Sequence, residues 1–179
     1  MGDFSQNGII SNLHDFGTKT TADIEKELVK FSKERKMELI LPSLYSELKG
    51  DALPNIVKQI SETKYLNHII IGLDKASKTE AIKAWKFFKK LKTPFTILWN
   101  DGPRLKKLHE ELKEKGLAPS EMGKGRNVWY CLGMCIARDE ARSVALHDCD
   151  IKTYDRRMLA KLFYPVSYTH LTLPTNGEV

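Results

Sequence analysis

The run His68-Ile69-Ile70-Ile71-Gly72-Leu73-Asp74 constrains this chain more than any other stretch. It is apolar and β-branched at consecutive positions, without the polar alternation of a half-exposed strand, so it reads as a strand buried on both faces. Strands of that kind belong to parallel sheets covered by helices. Three further runs have strand character: Glu38 to Pro42, ended by its proline; Phe95 to Trp99, closed by Asn100-Asp101-Gly102-Pro103; and Ser143 to His147.

Helical periodicity fills the intervals. Thr20 with Asp23 forms a capping signal for a helix to about Lys36, carrying Ile24, Leu28 and Phe31. Ala52 to Thr63 presents Leu53, Ile56, Val57 and Ile60, and Lys78 to Leu91 presents Ile82, Trp85, Phe88 and Leu91. Arg104 to Lys115 is strongly charged and closed by Gly116; Arg126 to Arg138 follows Gly123-Lys124-Gly125; Asp155 caps a last helix with Met158, Leu159, Leu162 and Phe163. Alternating strands and helices predict an α/β architecture with a mainly parallel sheet flanked by helices.

Residues 1–19 form a polar lead-in expected to pack Phe4, Ile9, Ile10 and Phe16 on the domain, which occupies residues 20–166. Residues 167–179 break the pattern. The run from Val166 to Thr175 resembles a peptide translated from sequencing-adapter DNA, so the tail is expected to be artefactual and the natural domain truncated near Val166.

The net charge of +6 suits nucleic acid, an acidic membrane or a phosphorylated substrate. Much of it lies on helical segments such as Lys83 to Lys92 and Lys106 to Lys115, where lysines cover solvated faces, and no recognised RNA- or DNA-binding motif accompanies them, which argues against nucleic acid. Three cysteines, an odd count without scaffold spacing, suit a reducing compartment. There is no apolar run of the roughly 20 residues that span a bilayer. Gln6 stands where a myristoylation motif wants Ser or Thr. The expectation is a cytoplasmic protein without a transmembrane segment.

Chemistry concentrates in three places. Val144-Ala145-Leu146-His147-Asp148-Cys149-Asp150 ends a strand on two acids one residue apart, on one side of an extended segment, where a Mg²⁺ or Mn²⁺ ion could carry phosphates. Gly123-Lys124-Gly125-Arg126-Asn127 places glycines around a lysine at a helix start, where backbone N–H groups can face a phosphate; it lacks P-loop spacing. Leu41-Pro42-Ser43-Leu44 with Glu47, and Gly72-Leu73-Asp74, put acceptors for base or ribose hydroxyls at strand ends. Glu47 reads equally as a helix-start acid and Asp74 as a turn residue. A zinc set from Cys131, Cys135, His147 and Cys149 has the wrong spacing, and a Cys149–His147 nucleophile lacks an orienting third group.

In this order the motifs resemble a GT-A glycosyltransferase, closest to the glucosyl-3-phosphoglycerate synthase and mannosylglycerate synthase type of retaining enzyme, over roughly residues 38–166. Its most specific part is the Gly-Lys-Gly-x-x-x-Trp run through Trp129 with Asp-x-Asp. The resemblance implies a GT-A, Rossmann-like sheet. Pro42, Leu44, Glu47 and Asp74 would bind the nucleoside, Lys124 would lie near the phosphates or nucleoside, and Asp150 with Asp148 would hold the metal. Ser43, Gly123, Gly125 and Asp148 complete the expected donor contacts. Tyr45 and Ser46 stand where the family's first motif carries Asn and Glu, and the acceptor-binding segment and a second metal-ligand histidine are expected after Val166. The implied reaction transfers a hexose from a nucleotide diphosphate sugar, of UDP-glucose or GDP-mannose type, to a small hydroxyl acceptor such as a glycerate or phosphoglycerate, with a homodimeric full-length parent. The competing readings are a donor-binding fragment without turnover and a nucleotidyltransferase, which would place its basic loop after the first strand.

Overall fold

The computed structural model describes residues 19–172, with side chains described to residue 167. The expected packing of Phe4, Ile9, Ile10 and Phe16 falls outside the described residues. Four strands, β1 (Met37–Leu44), β2 (Leu66–Asp74), β3 (Phe95–Trp99) and β4 (Ser143–Leu146), form one sheet in the order β3-β2-β1-β4 with every pair parallel. The helices are α1 (Thr21–Glu34), α2 (Ala52–Ser61), α3 (Lys78–Phe88), α4 (Pro103–Glu114), α5 (Lys124–Arg138) and α6 (Arg156–Thr172), with a 3₁₀ turn at Tyr45–Lys49. This is the α/β, Rossmann-like arrangement expected of a GT-A domain. No helix among the described residues is long and apolar enough to cross a membrane.

Alternation along the two central strands divides the core. Leu39, Leu41, Ile69, Ile71 and Leu73 share one face with Ile24, Leu28, Leu53, Ile56, Phe88 and Phe163, which places α1, α2, α3 and α6 on that side. Ile40 and Ile70 face the other way, onto Cys131 and Cys135 of α5. β1 and β2 are therefore buried on both faces, as the unbroken apolar run of β2 requires.

The helix ends follow the local chemistry. Thr20 and Asp23 form a reciprocal capping box at α1. The Arg157 N–H donates to the Asp155 carboxylate at 2.6 Å. Gly116 takes φ +68°, and the Leu117 N–H reaches back to the Leu112 carbonyl at 2.9 Å, closing α4.

Three expectations need correction. Pro42 does not end β1, which continues to Leu44. The Ile40 carbonyl accepts the His147 N–H, so Pro42, two residues on, faces the same flank beyond the last β4 pair, Ile40 with Leu146; its missing N–H breaks no ladder bond. The Ser143 strand, β4, is outermost among the described strands, and only its Ala145 turns to the core while Val144 and Leu146 are exposed. On α3 the buried positions are Ala84 and Phe88, whereas Ile82 and Trp85 face solvent, Trp85 beneath the Lys89 ammonium at 4.0 Å. A Ser77–Glu80 capping box starts that helix. On α6, Leu159 and Phe163 enter the core but Met158 and Leu162 lie at the surface.

Candidate functional site

Topology makes the site. The chain moves outward from β1 through β2 to β3, then returns to place β4 on the opposite side of β1. That reversal opens a crevice at the carboxyl ends of β1 and β4, where open α/β sheets hold ligands. A cleft of about 240 Å³ lies there. Pro42, Ser43, Leu44, Glu47, Asp74, Gly123, Lys124, Asp148 and Asp150 all line it; Gly125 sits in the first turn of α5 without lining it. Lys75, Asn127 and Cys149 also line it, beyond the residues expected from sequence.

On the β1 wall, the Glu47 carboxylate accepts the Leu44 N–H at 3.0 Å, and burial raises its pKa. Glu47 therefore caps the 3₁₀ turn and lines the cleft at once. Asp74 is buried at the end of β2, accepts the Lys75 N–H at 3.1 Å and lies 3.7 Å from the Arg126 guanidinium. Lys75 holds a left-handed backbone at φ +53°. The next residue is clamped on both sides: the Ala76 N–H donates to the Asp101 carboxylate at 2.9 Å, and the Trp99 indole N–H donates to the Ala76 carbonyl at 2.7 Å. These bonds hold a turn that its φ alone disfavours.

The opposite wall is the start of α5. Gly123 has φ +136° and ψ −162°, a conformation essentially reserved for glycine, and no side chain caps the helix. The Lys124 ammonium meets the Asp148 carboxylate at 2.5 Å, a contact that raises the lysine's pKa. Asn127 donates its amide N–H to the Gly72 carbonyl at 2.8 Å and accepts the Cys131 thiol through Oδ1 at 3.6 Å.

Asp150 is exposed at the turn beyond Cys149. His147 and Cys149, which alternate with the acids, are structural. His147 is buried with Nδ1 2.8 Å from the Tyr154 hydroxyl, and burial lowers its pKa to about 4, so the ring is neutral. Cys149 is only 2% exposed and burial drives its thiol pKa far up. Cys131 and Cys135 pack from α5 against the sheet, with thiols pushed up to about 12.

Among the described residues, no group of three or more His, Cys, Asp or Glu is placed to hold a metal ion by itself. Two carboxylates at a strand end are nevertheless the oxygen donors that a Mg²⁺ or Mn²⁺ ion accepts when phosphates and water complete its shell.

Besides Lys75 and Cys149, the sequence left unassigned Asn127, which lines the cleft, and Arg126, which supports Asp74 from behind it. Both stand in the Gly-Lys-Gly run, but their aim depends on how α5 is seated across β2.

No family model matches the chain. It is 43% identical over 171 residues to a glucosyl-3-phosphoglycerate synthase of Persephonella marina, covering 96% of this chain and 42% of that protein. It is 35% identical over 163 residues to a glucosyl-3-phosphoglycerate synthase of Methanococcoides burtonii, covering 90% of this chain and 40% of the relative. Over almost its whole length the chain is therefore a homologue of the glucosyl-3-phosphoglycerate synthases, glycosyltransferases of whose length it spans about two fifths.

Proposed function

We propose that this chain supplies the donor half of a hexosyl transfer from a nucleotide diphosphate sugar, of UDP-glucose or GDP-mannose type, to a small hydroxyl acceptor of the glycerate or phosphoglycerate kind. The observation that carries this reading is the single cleft formed from four separated segments, Pro42 to Glu47, Asp74, Gly123-Lys124 and Asp148 to Asp150. Asp74 and Glu47 offer carboxylates to base and ribose hydroxyls. Lys124 and the free N–H groups at the start of α5 favour the diphosphate and its charge as the sugar departs. Asp150, with Asp148, would hold Mg²⁺ or Mn²⁺, which would supply further neutralisation of the leaving diphosphate. Three buried free cysteines are in keeping with a cytoplasmic setting.

Calorimetric titration with UDP-glucose, GDP-mannose and the plain nucleotides, each with and without metal, tests the reading. The expected result is metal-dependent binding of a nucleotide sugar that is lost in Asp150→Ala. Undiminished affinity in that variant would remove the metal assignment, and no binding by any of the four ligands would remove the donor site itself.

A further inference from the structure

The first turn of α5 is locally weak. It has no side-chain cap and no acidic residue, and it carries glycine at position 125 as well as at the cap, Gly123. Its opening intrahelical bond runs from the Asn127 N–H to the Gly123 carbonyl at 3.1 Å. Left to helix propensity this turn would fray, yet it must present Lys124 at a fixed place opposite Asp148.

Asn127 supplies the missing anchorage. Its side chain is 2% exposed and is tied to the end of β2 through the Gly72 carbonyl and to the next turn of α5 through the Cys131 thiol. An amide has the donor for that carbonyl and the acceptor for that thiol on one side chain, at the two ends of its fork. Gly72 is shaped for the contact: a Cβ there would stand 1.7 Å from Asn127 Oδ1 and 2.7 Å from Cys131 Sγ. We propose that Asn127 is a positioning residue which, through Gly72, pins the first turn of α5 to the sheet and so sets where Lys124 meets the ligand. The proposal rests on the donor-site reading for its functional half; the pinning stands on the structure alone.

Two measurements on the full chain separate those halves. In the free protein, amide hydrogen exchange at Asn127 and Val128 reads the pinning. Asn127→Ala and Asn127→Leu, the second preserving bulk, are expected to speed exchange there while leaving the far end of α5, Met134 to Arg138, at its parental rate. Unchanged exchange at Asn127 and Val128 in whichever variant folds overturns the proposal. UDP titration in the presence of Mg²⁺ reads the consequence, in a cycle with Lys124→Ala. Either Asn127 variant should weaken UDP about tenfold, the size of one charge-assisted hydrogen bond, in the parent and less than about twofold in the Lys124→Ala background. Equal weakening in both backgrounds overturns the link to Lys124. Where the parent binds GDP rather than UDP, the same cycle is read with GDP; absence of binding of both in the parent, or no loss in Lys124→Ala, sinks the donor reading instead and with it the functional half, while the exchange result still decides the pinning.

Discussion

Gly72→Ala is the sharpest test of how α5 is seated. The added methyl would lie 1.7 Å from Asn127 Oδ1 and 2.7 Å from both Asn127 Cγ and Cys131 Sγ. None of these is the far end of a flexible surface chain: Asn127 and Cys131 are buried and held by α5. The amide must therefore leave, and its 2.8 Å bond to the Gly72 carbonyl goes with it. Overpacking costs roughly 1–3 kcal/mol and the lost buried hydrogen bond about 1 kcal/mol, so the variant should be roughly 2–4 kcal/mol less stable. At this chain length that corresponds to a Tm lower by roughly 5–15 °C. Urea unfolding followed by far-ultraviolet circular dichroism gives the value. The double variant Gly72→Ala/Asn127→Ala adds a second constraint, because removing the amide opens the space the methyl needs. The glycine substitution should then cost at least about 1 kcal/mol less in the Asn127→Ala background than in the parent. A Gly72→Ala protein within about 0.5 kcal/mol of the parent, or an equal cost in both backgrounds, would refute the close approach of α5 to β2.

On α3, Phe88→Ala should cost about 3–5 kcal/mol because the ring is fully buried, whereas Ile82→Ala, at a side chain 51% exposed, should stay within about 1 kcal/mol; equal losses in urea unfolding would put the helix in the wrong phase. Arg126→Ala leaves the Asp74 carboxylate buried without its cation and should destabilise by about 3 kcal/mol, the lower end for a broken buried pair because the charges are 3.7 Å apart; a loss below about 1 kcal/mol would mean the pair carries little. His147 provides a pH signature. Its pKa falls from 6.5 to about 4 on folding, so the unfolded chain binds more protons between those values, and this stability is present above pH 6.5 and lost as pH drops toward 4. The loss is on the order of 3 kcal/mol, and it should vanish from the pH profile of unfolding in His147→Gln; identical profiles for parent and variant would contradict it.

The two central strands, β1 and β2, were legible because burial on both faces leaves an unbroken apolar run, and the unbroken run of β2 stands where it was read. Their order was not legible, since periodicity says which face of a strand is apolar and nothing about its neighbour. Pro42 shows the consequence. Read locally it stops a strand; in the sheet it occupies a stretch of β1 whose β4 neighbour has already ended. Ile82 and Trp85 misled for a related reason. They recur at helical spacing, but α3 packs through Ala84 and Phe88, which leaves Ile82 and Trp85 in solvent. At the site, the residue types at strand ends were readable and so were nine of the positions that line the cleft. The Asp74–Arg126 and Gly72–Asn127 contacts were not, because each joins segments about fifty residues apart through the seating of one helix.

The same seating gives the cleft two unlike walls. Along β1, Pro42 has no N–H to offer, and the next N–H on that flank, Leu44, is already taken by Glu47. That wall, with Asp74 beside it, presents carboxylate oxygens and leaves no backbone donor free on that flank of β1. Across the cleft, the uncapped start of α5 presents N–H groups and the Lys124 ammonium. On the donor reading proposed above, a nucleoside diphosphate entering such a cleft would be oriented before any side chain moves: its hydroxyls and ring N–H groups would suit the β1 and β2 ends, and its phosphates would suit α5. Asp148 stands on the anion's side but is met there by Lys124, so it reduces the positive charge offered to the phosphates unless a cation joins it. That opposition is the physical reason to expect metal dependence at this site, and it predicts that Asp148→Asn should lessen the metal requirement for nucleotide binding, whereas Asp150→Ala should abolish the metal response; a metal requirement unchanged in Asp148→Asn would place the ion away from Asp148.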